Sequence, residues 1–383
     1  MALKSRFYRQ KGRVTMDENE LMGSMKVSKA VAKMAIPSVI SSLVTVVYNM
    51  ADTFFVGQTG DPLQVAAVSQ TNPIFILFMA FANMFGMGGS AAASMALGEK
   101  KEKRVKQVSS FITYASLIVG IVFAVILLVG MQPVLQLFGA DADTYELAKG
   151  YTTYISYGAP FIIWSAAASF VVRSDGASRE AMTGSMIGTV ANIILDPIFI
   201  SGFGMGAAGA AIATTIGNIM ASVYYLWYFC RKSRNMSMAF RYFKCGDRIL
   251  SQVCSAGLPT AIFSALMSIS TIILNQILVA YGNAPVAAIG IVFKANMFIT
   301  FLQMGLANGV QPLLGYSYGA GNRERFITVE RYTKKCCLIV GVLATALFFF
   351  FREPIIHLFI SDTEVINYGV EMLIAYRISG PVI

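Results

Sequence analysis

Residues 108–129 read VSSFITYASLIVGIVFAVILLV, twenty-two consecutive positions without one charge. Wound at 1.5 Å per residue, the run is about 33 Å long, enough to cross a hydrocarbon core of about 30 Å. The basic stretch KEKRVK at 101–106 precedes it directly. In lipid, backbone groups must be satisfied within the segment or in a closed barrel, and barrel strands alternate in polarity over about ten residues. This run is too long and too uniformly apolar for that, so it is a membrane helix.

Outward from 108–129, nine further apolar runs appear at 36–56, 66–95, 151–172, 181–200, 207–229, 256–281, 285–314, 329–351 and 366–383. The 383 residues are 56% hydrophobic and 13% charged, against roughly a quarter charged in a soluble domain. The fold class is an all-α membrane protein, a polytopic transmembrane helix bundle.

The charges that remain are segregated. Residues 1–35, 98–107, 173–180, 231–250 and 319–335 hold 26 of the 30 Lys and Arg, all on the side of the N-terminus. Lys149 and Arg352 fall in opposite loops, and Lys294 and Arg377 inside apolar runs. Short basic loops stay in the cytoplasm, so a cytoplasmic N-terminus and a multi-pass bacterial-type inner-membrane protein are expected. The net charge of +10 is thereby accounted for by topology and contact with anionic membrane lipid, and no nucleic-acid partner is implied. The five cysteines form no C-x-x-C pair and His357 is the single histidine, so neither a disulfide framework nor a resident metal site is suggested.

The chain also repeats. Leu117-Ile-Val-Gly120, inside the opening run, recurs as Leu338-Ile-Val-Gly341, an offset of 221. The same offset pairs Gly88 with Gly309, Gly98 with Gly319, Arg104 with Arg325, Pro133 with Pro354, Asp141 with Asp362 and Pro160 with Pro381. Pro37 pairs with Pro259 after one residue of slippage. The expected organisation is a basic N-terminal segment (1–35), a first lobe of six helices (36–230), a basic linker (231–254) and a second lobe of about four helices (255–383). Two such pseudo-symmetric halves are a common plan for secondary transporters, whose sites lie near the repeat interface. Ile383 pairs with Ile162, in mid-helix, so the sequence reads as a fragment. Roughly 60–70 more residues would complete a second half as long as the first.

Ionisable groups at membrane depth are costly and serve as functional candidates by default. Asp52 and Asp196 are the two deep acids. Each lies 15 residues past the start of its run, counted from Pro37 and Ala181, hence about 22 Å across. Asn192 sits one turn from Asp196 on the same face, and Pro197 frees the carbonyl of Ile193 as an extra oxygen ligand. Two plainer readings stand beside this one: Asp52 as a helix cap near Gly57, and Asp196 as a turn-former at the membrane boundary. The small-residue run Gly86–Ser94 lacks the Lys-Ser/Thr of a phosphate loop, and small residues let membrane helices pack closely.

Pro37 with Tyr48-Asn-Met-Ala-Asp52-Thr-Phe-Phe-Val-Gly57, Asn192-Ile-Ile-Leu-Asp196-Pro-Ile-Phe-Ile200 and Gln311-Pro-Leu-Leu-Gly-Tyr-Ser-Tyr-Gly-Ala-Gly-Asn322 resemble motifs of the multidrug and toxic compound extrusion (MATE) family. The resemblance covers about residues 30–383. It implies twelve helices in the whole protein, as two six-helix lobes, and export of small amphipathic, often cationic compounds in exchange for H⁺ or Na⁺. In one branch the ion site lies in the first lobe, at positions that match Asp52, Asp196, Asn192 and Thr214, which would make a Na⁺ site of Asp52, Asn192 and Asp196. Another branch places its acids in the second lobe, where this sequence offers Asn275.

Pro37 and Pro197 are the hinge candidates, and Lys294, Asn275 and Tyr48 the substrate-path candidates. Lys294 reads equally as a snorkelling residue or a partner across the lobes. The expected function is a monomeric, ion-coupled antiporter working by alternating access, with no cofactor beyond the coupling ion. The alternative is a flippase for lipid-linked precursors, which tends to carry a cationic cavity. No deep nucleophile stands beside a base, so an enzyme is not expected.

Overall fold

A computed structural model of the chain describes residues 20–246, 248–279, 281, 283–357 and 363–378. The basic tail from Lys4 to Arg13 and the repeat positions Leu358, Phe359, Asp362 and Pro381 lie outside the described residues, as do the side chains of Asn275 and Arg377. Among the described residues the ordered elements are helical, with no strand. Ten helices have 16 or more residues. They are α1 (Val27–Gly57), α2 (Pro62–Gly98), α3 (Glu102–Val129), α4 (Tyr145–Ser174), α5 (Ser178–Pro197), α6 (Gly206–Arg231), α7 (Ile249–Val279), α8 (Asn283–Gly319), α9 (Arg323–Phe350) and α10 (Thr363–Ile378). Among the described residues, all but α7 and α10 carry an 18-residue stretch apolar enough to cross a membrane. Those two carry shorter apolar stretches, Ile249–Phe263 and Ile269–Leu278 on α7 and Val365–Ala375 on α10.

The helices overrun the apolar runs on the basic side. α1 begins at Val27 rather than 36, α3 at Glu102 rather than 108, and α9 at Arg323 rather than 329. Helical hydrogen bonding needs no apolar side chain, so a helix continues past the hydrocarbon until a cap stops it. At the far end of α1, Gly60 takes φ +71° and the Asp61 carboxylate accepts from Leu63 N at 3.0 Å, with Pro62 in the first turn of α2. A left-handed glycine, an acidic N-cap and a leading proline are a complete helix-to-helix punctuation.

The first six helices pack as one body through α2 with α4, α4 with α6, α3 with α4, α5 with α6 and α1 with α5. In the second half, α8 packs on α7, α9 and α10. Three pairs make most of the contact between the halves, α1 with α8, α2 with α7, and α2 with α8, and α1 with α9 and α4 with α8 touch more lightly. The small-residue run is what lets them meet. A Cβ on Gly88 would stand 2.1 Å from the Val253 carbonyl oxygen, and one on Gly309 would stand 2.7 Å from Ala35 Cα. At the α2–α8 crossing, a Cβ on Gly98 would meet Tyr316 O at 2.2 Å and one on Gly319 would meet Met95 O at 2.1 Å. Each contact maps onto the other by the same offset of 221, so these glycines sit astride a local two-fold relation. Short helices repeat too: Met131–Leu137 precedes α4, and Arg352–His357 precedes α10.

Between α6 and α7 the chain runs back along α3. Ser109 Oγ donates to Ser237 O at 2.9 Å, Ser110 Oγ to Ala239 O at 3.2 Å and Tyr114 Oη to Met238 O at 3.0 Å. Phe243 stacks on Phe111 and on Phe240, and both rings meet Tyr114 edge-on. A turn of 3₁₀-helix, Phe240–Tyr242, lies within this strap. Its start is tied down by Asp175, a buried carboxylate that accepts from Tyr228 Oη (2.9 Å), Ser233 Oγ (2.7 Å) and Asn235 Nδ2 (2.9 Å). Burial outweighs those three bonds and pushes the Asp175 carboxyl above its ordinary pKa, since desolvation penalises the charged form.

Candidate ion-coupling site

Asp52 lies inside α1, five residues before its end at Gly57, where the C-cap is Gln58. It is therefore part of the helical wall and not a cap. Asp196 is the penultimate residue of α5 and has no solvent exposure, so it is a core residue rather than an exposed turn-former. Past Pro197 the backbone widens into a π-turn, Ile198–Gly202, in which Phe203 N reaches back to Ile198 O at 2.9 Å. Proline cannot donate to the preceding turn, and a π-turn is a common way for the ladder to absorb such a break.

Asn192 is one turn closer to the basic side than Asp196, and both it and Thr214 of α6 are buried. The network fixes the orientation of the Asn192 amide. With Nδ2 turned to the carboxylate, it donates to Asp196 Oδ2 at 2.9 Å, while its Oδ1 accepts from the Thr214 hydroxyl at 3.2 Å. The Thr214 hydroxyl also lies 3.4 Å from Tyr48 Oη of α1. Asp196 Oδ1 is buried with no hydrogen-bond partner among the described residues.

Two cavities border this cluster. One of about 260 Å³ is lined by Asp52, Tyr48, Asn49, Ser69, Asn72 and Tyr151. The other, about 430 Å³, runs from between the halves into the first half, past Tyr48, Asn49, Asn192, Thr214 and Asn218, with Phe301, Met304 and Asn308 of α8 on its far wall. Asp52 and Tyr151 line the smaller cavity together, and Tyr48 lines both cavities. Five predicted residues are thus gathered: Asp52, Asp196, Asn192, Thr214 and Tyr48. Pro37 is inside an unbroken α1, eleven positions short of Tyr48. Lys294 is exposed on α8 and lines neither cavity.

The sequence reading passed over Tyr151, Asn218 and Arg173. Arg173 was counted as a loop charge, yet it is 6% exposed and lines the larger cavity. The available signal was the four-residue spacing of Ser165, Ser169 and Arg173, which puts all three on one face of α4.

Chemically, the cluster offers two carboxylates, an amide and hydroxyls around a buried, unpartnered oxygen. That set suits a hard monovalent cation or a proton. Among the described residues, no group of three His, Cys, Asp or Glu gathers as a multivalent metal site would require. A helical bundle of two crossed halves, with acids buried in one of them and a cavity between, has the plan of a membrane transporter.

Comparison with known proteins gives the family. The chain matches MatE over residues 37–198 and 259–383. It is 32% identical over 347 residues to the multidrug export protein MepA of Staphylococcus saprophyticus, a match covering 91% of this chain and 77% of that one. Among solved structures, it resembles MATE in the straight conformation with a TM-score of 0.89, at 26% identity and coverage of 95% and 82%. It resembles MATE in the bent conformation with a TM-score of 0.84, at 26% identity and coverage of 95% and 80%. The chain belongs to the MatE family of multidrug and toxic compound extrusion transporters. It is a membrane transporter and not an enzyme, and needs no cofactor for its work.

Proposed function

We propose that this protein exports small amphipathic organic cations across a bacterial inner membrane in exchange for H⁺ or Na⁺, with the ion bound at Asp52, Asp196, Asn192 and Thr214. The basic side faces the cytoplasm in this reading, and the monomer is the working unit. The observation that carries it is Asp196 Oδ1, a carboxylate oxygen buried with no partner among the described residues, linked through Asn192, Thr214 and Tyr48 to the cavity that Asp52 lines. An unpartnered charge in low dielectric is costly, and a bound H⁺ or Na⁺ removes that cost.

Alternation follows from competition. With the acids ionised, the cavity is negative and favours an organic cation. Loading H⁺ or Na⁺ from outside neutralises them, the cavity loses its hold on the cation, and the substrate leaves outward. Asn192 and Thr214 keep Asp196 aimed at the ion without adding charge. α1 carries Asp52 and Tyr48 above Pro37, so a bend there would reshape both cavities at once. That a related transporter has both straight and bent structures supports such a step.

The test is efflux of a fluorescent organic cation from vesicles under an imposed H⁺ or Na⁺ gradient. Asp52→Asn and Asp196→Asn are each expected to insert normally and lose gradient-driven efflux. The double variant should be little worse than either, because both acids serve one site. Near-normal coupling in both single variants would place the ion elsewhere.

A further inference from the structure

The larger cavity has a polar track along it. From Asp196, the hydrogen bonds pass to Asn192 and Thr214. Asn218, one turn along α6, donates to Thr214 O at 2.9 Å and accepts from Ser165 Oγ of α4 at 2.9 Å. Further toward the basic side, Ser185 Oγ and Tyr225 Oη lie 3.0 Å apart, and Ser169 and Arg173 of α4 complete the wall. A track of hydroxyls and amides beside a cavity large enough for water is a path along which a proton or small cation could run. Such a path would leak the gradient that drives exchange.

Arg173 ends the track. Its guanidinium is buried, and its Nε and Nη1 have no hydrogen-bond partner among the described residues. It stands 5.1 Å over the Phe170 ring, a contact that holds a cation without cancelling its charge. The nearby acids are committed elsewhere: Asp175 to Tyr228, Ser233 and Asn235, and Glu180 to Tyr224 and Lys232. Tyr225, the other titratable group facing this end, donates to Ala181 O at 2.8 Å. The inner end of the cavity therefore carries a fixed positive charge with no counter-ion among the described residues.

We propose that Arg173 is the electrostatic stop that keeps H⁺ and Na⁺ from passing through the first half while the acids are loaded from the opposite side. This rests on the ion reading of Asp52 and Asp196. A lone cation facing a water-filled path repels entering cations, as positive groups do in pores that exclude protons. The cation also explains why the cavity can stay wet beside the acids without short-circuiting them.

The experiment uses the full chain in liposomes containing a pH-reporting dye, with an imposed pH difference, the potential clamped by potassium and valinomycin, and no drug. Arg173→Gln should raise proton entry on the order of tenfold, the factor a lone charge about 12 Å away supplies at an effective dielectric of about 20. Arg173→Lys should stay near the unsubstituted rate. Ser169→Glu, which sets a carboxylate one turn from Arg173, should leak as well, because it cancels the charge and leaves the arginine in place. The proposal is overturned if Arg173→Gln folds and does not leak, or if Arg173→Lys leaks equally. Should Arg173→Gln fail to fold, a tight Ser169→Glu overturns it alone. Adding Asp196→Asn to Arg173→Gln separates the two readings: an undiminished leak keeps the stop and removes the acid from its path.

Discussion

The two halves share a skeleton and differ in what they do with it. Around Asp52 the first half places Asn72 and Tyr151 on the wall of a polar cavity. The matching positions in the second half are Leu274, by the one-residue slippage that pairs Pro37 with Pro259, and Phe293 and Met372, by the offset of 221. All three pack against one apolar cluster with Ile289, Val292 and Phe348. The glycines at the crossings, by contrast, are kept in both. Backbone contact at Gly98 and Gly319 has one solution, the absence of a side chain, whichever half supplies it. Lobe interiors have many solutions, since apolar filling and a polar cavity fit between the same helices. Symmetry therefore survives where packing is decided by the backbone and is lost where chemistry resides.

Leu274→Asp tests this most severely. If the polar lobe were merely a matter of adding an acid, the substitution would create a second coupling site. It is instead expected to cost about 2.5–3.5 kcal/mol, the insertion penalty of an acid at mid-membrane, and to leave the ion stoichiometry unchanged. Thermal unfolding and ion-to-drug ratio would be measured together. A second coupled ion would show that the lobes are equivalent after all.

The crossings should respond alike. Gly98→Ala and Gly319→Ala each drive a methyl into a carbonyl of the opposite half, so each should cost about 1–3 kcal/mol as overpacking does. Unfolding midpoints that differ widely between the two variants would break the two-fold relation at α2 and α8.

A smaller effect is expected on the helices that carry the strap. Tyr114 bonds Met238 O from α3, whereas its counterpart Lys335 on α9 is exposed. Tyr114→Phe should cost about 0.5–1.5 kcal/mol, the net worth of one hydrogen bond. Lys335→Ala should stay within about 0.5 kcal/mol, as exposed substitutions do. Equal losses would mean that the α9 face is covered as well.

Much of the site was legible because membranes make it so. Asp52, Asp196 and Asn192 stand out in apolar runs, where each polar group must be explained. Arg173 did not stand out, because a basic residue at a helix end is indistinguishable in sequence from the many that set topology. Its burial depends on how α4 sits against α5 and α6, and no local pattern reports that. Tyr151 was passed over for a related reason: aromatic residues are common at helix ends, and only the packing of the whole first half brings it to the cavity that Asp52 lines.

The sequence by itself determined the helical membrane class, the repeat, the basic side and the two acids. Those follow from one-dimensional quantities: run length against bilayer thickness, charge against position, and identity against offset. The tertiary structure alone decided that Thr214 bonds Asn192 and Asn192 in turn bonds Asp196, that a cavity joins this cluster to Arg173, and that the second half fills the equivalent space with apolar side chains. Those depend on distances between helices far apart in the chain, and such distances are fixed by side-chain packing among all of the helices at once.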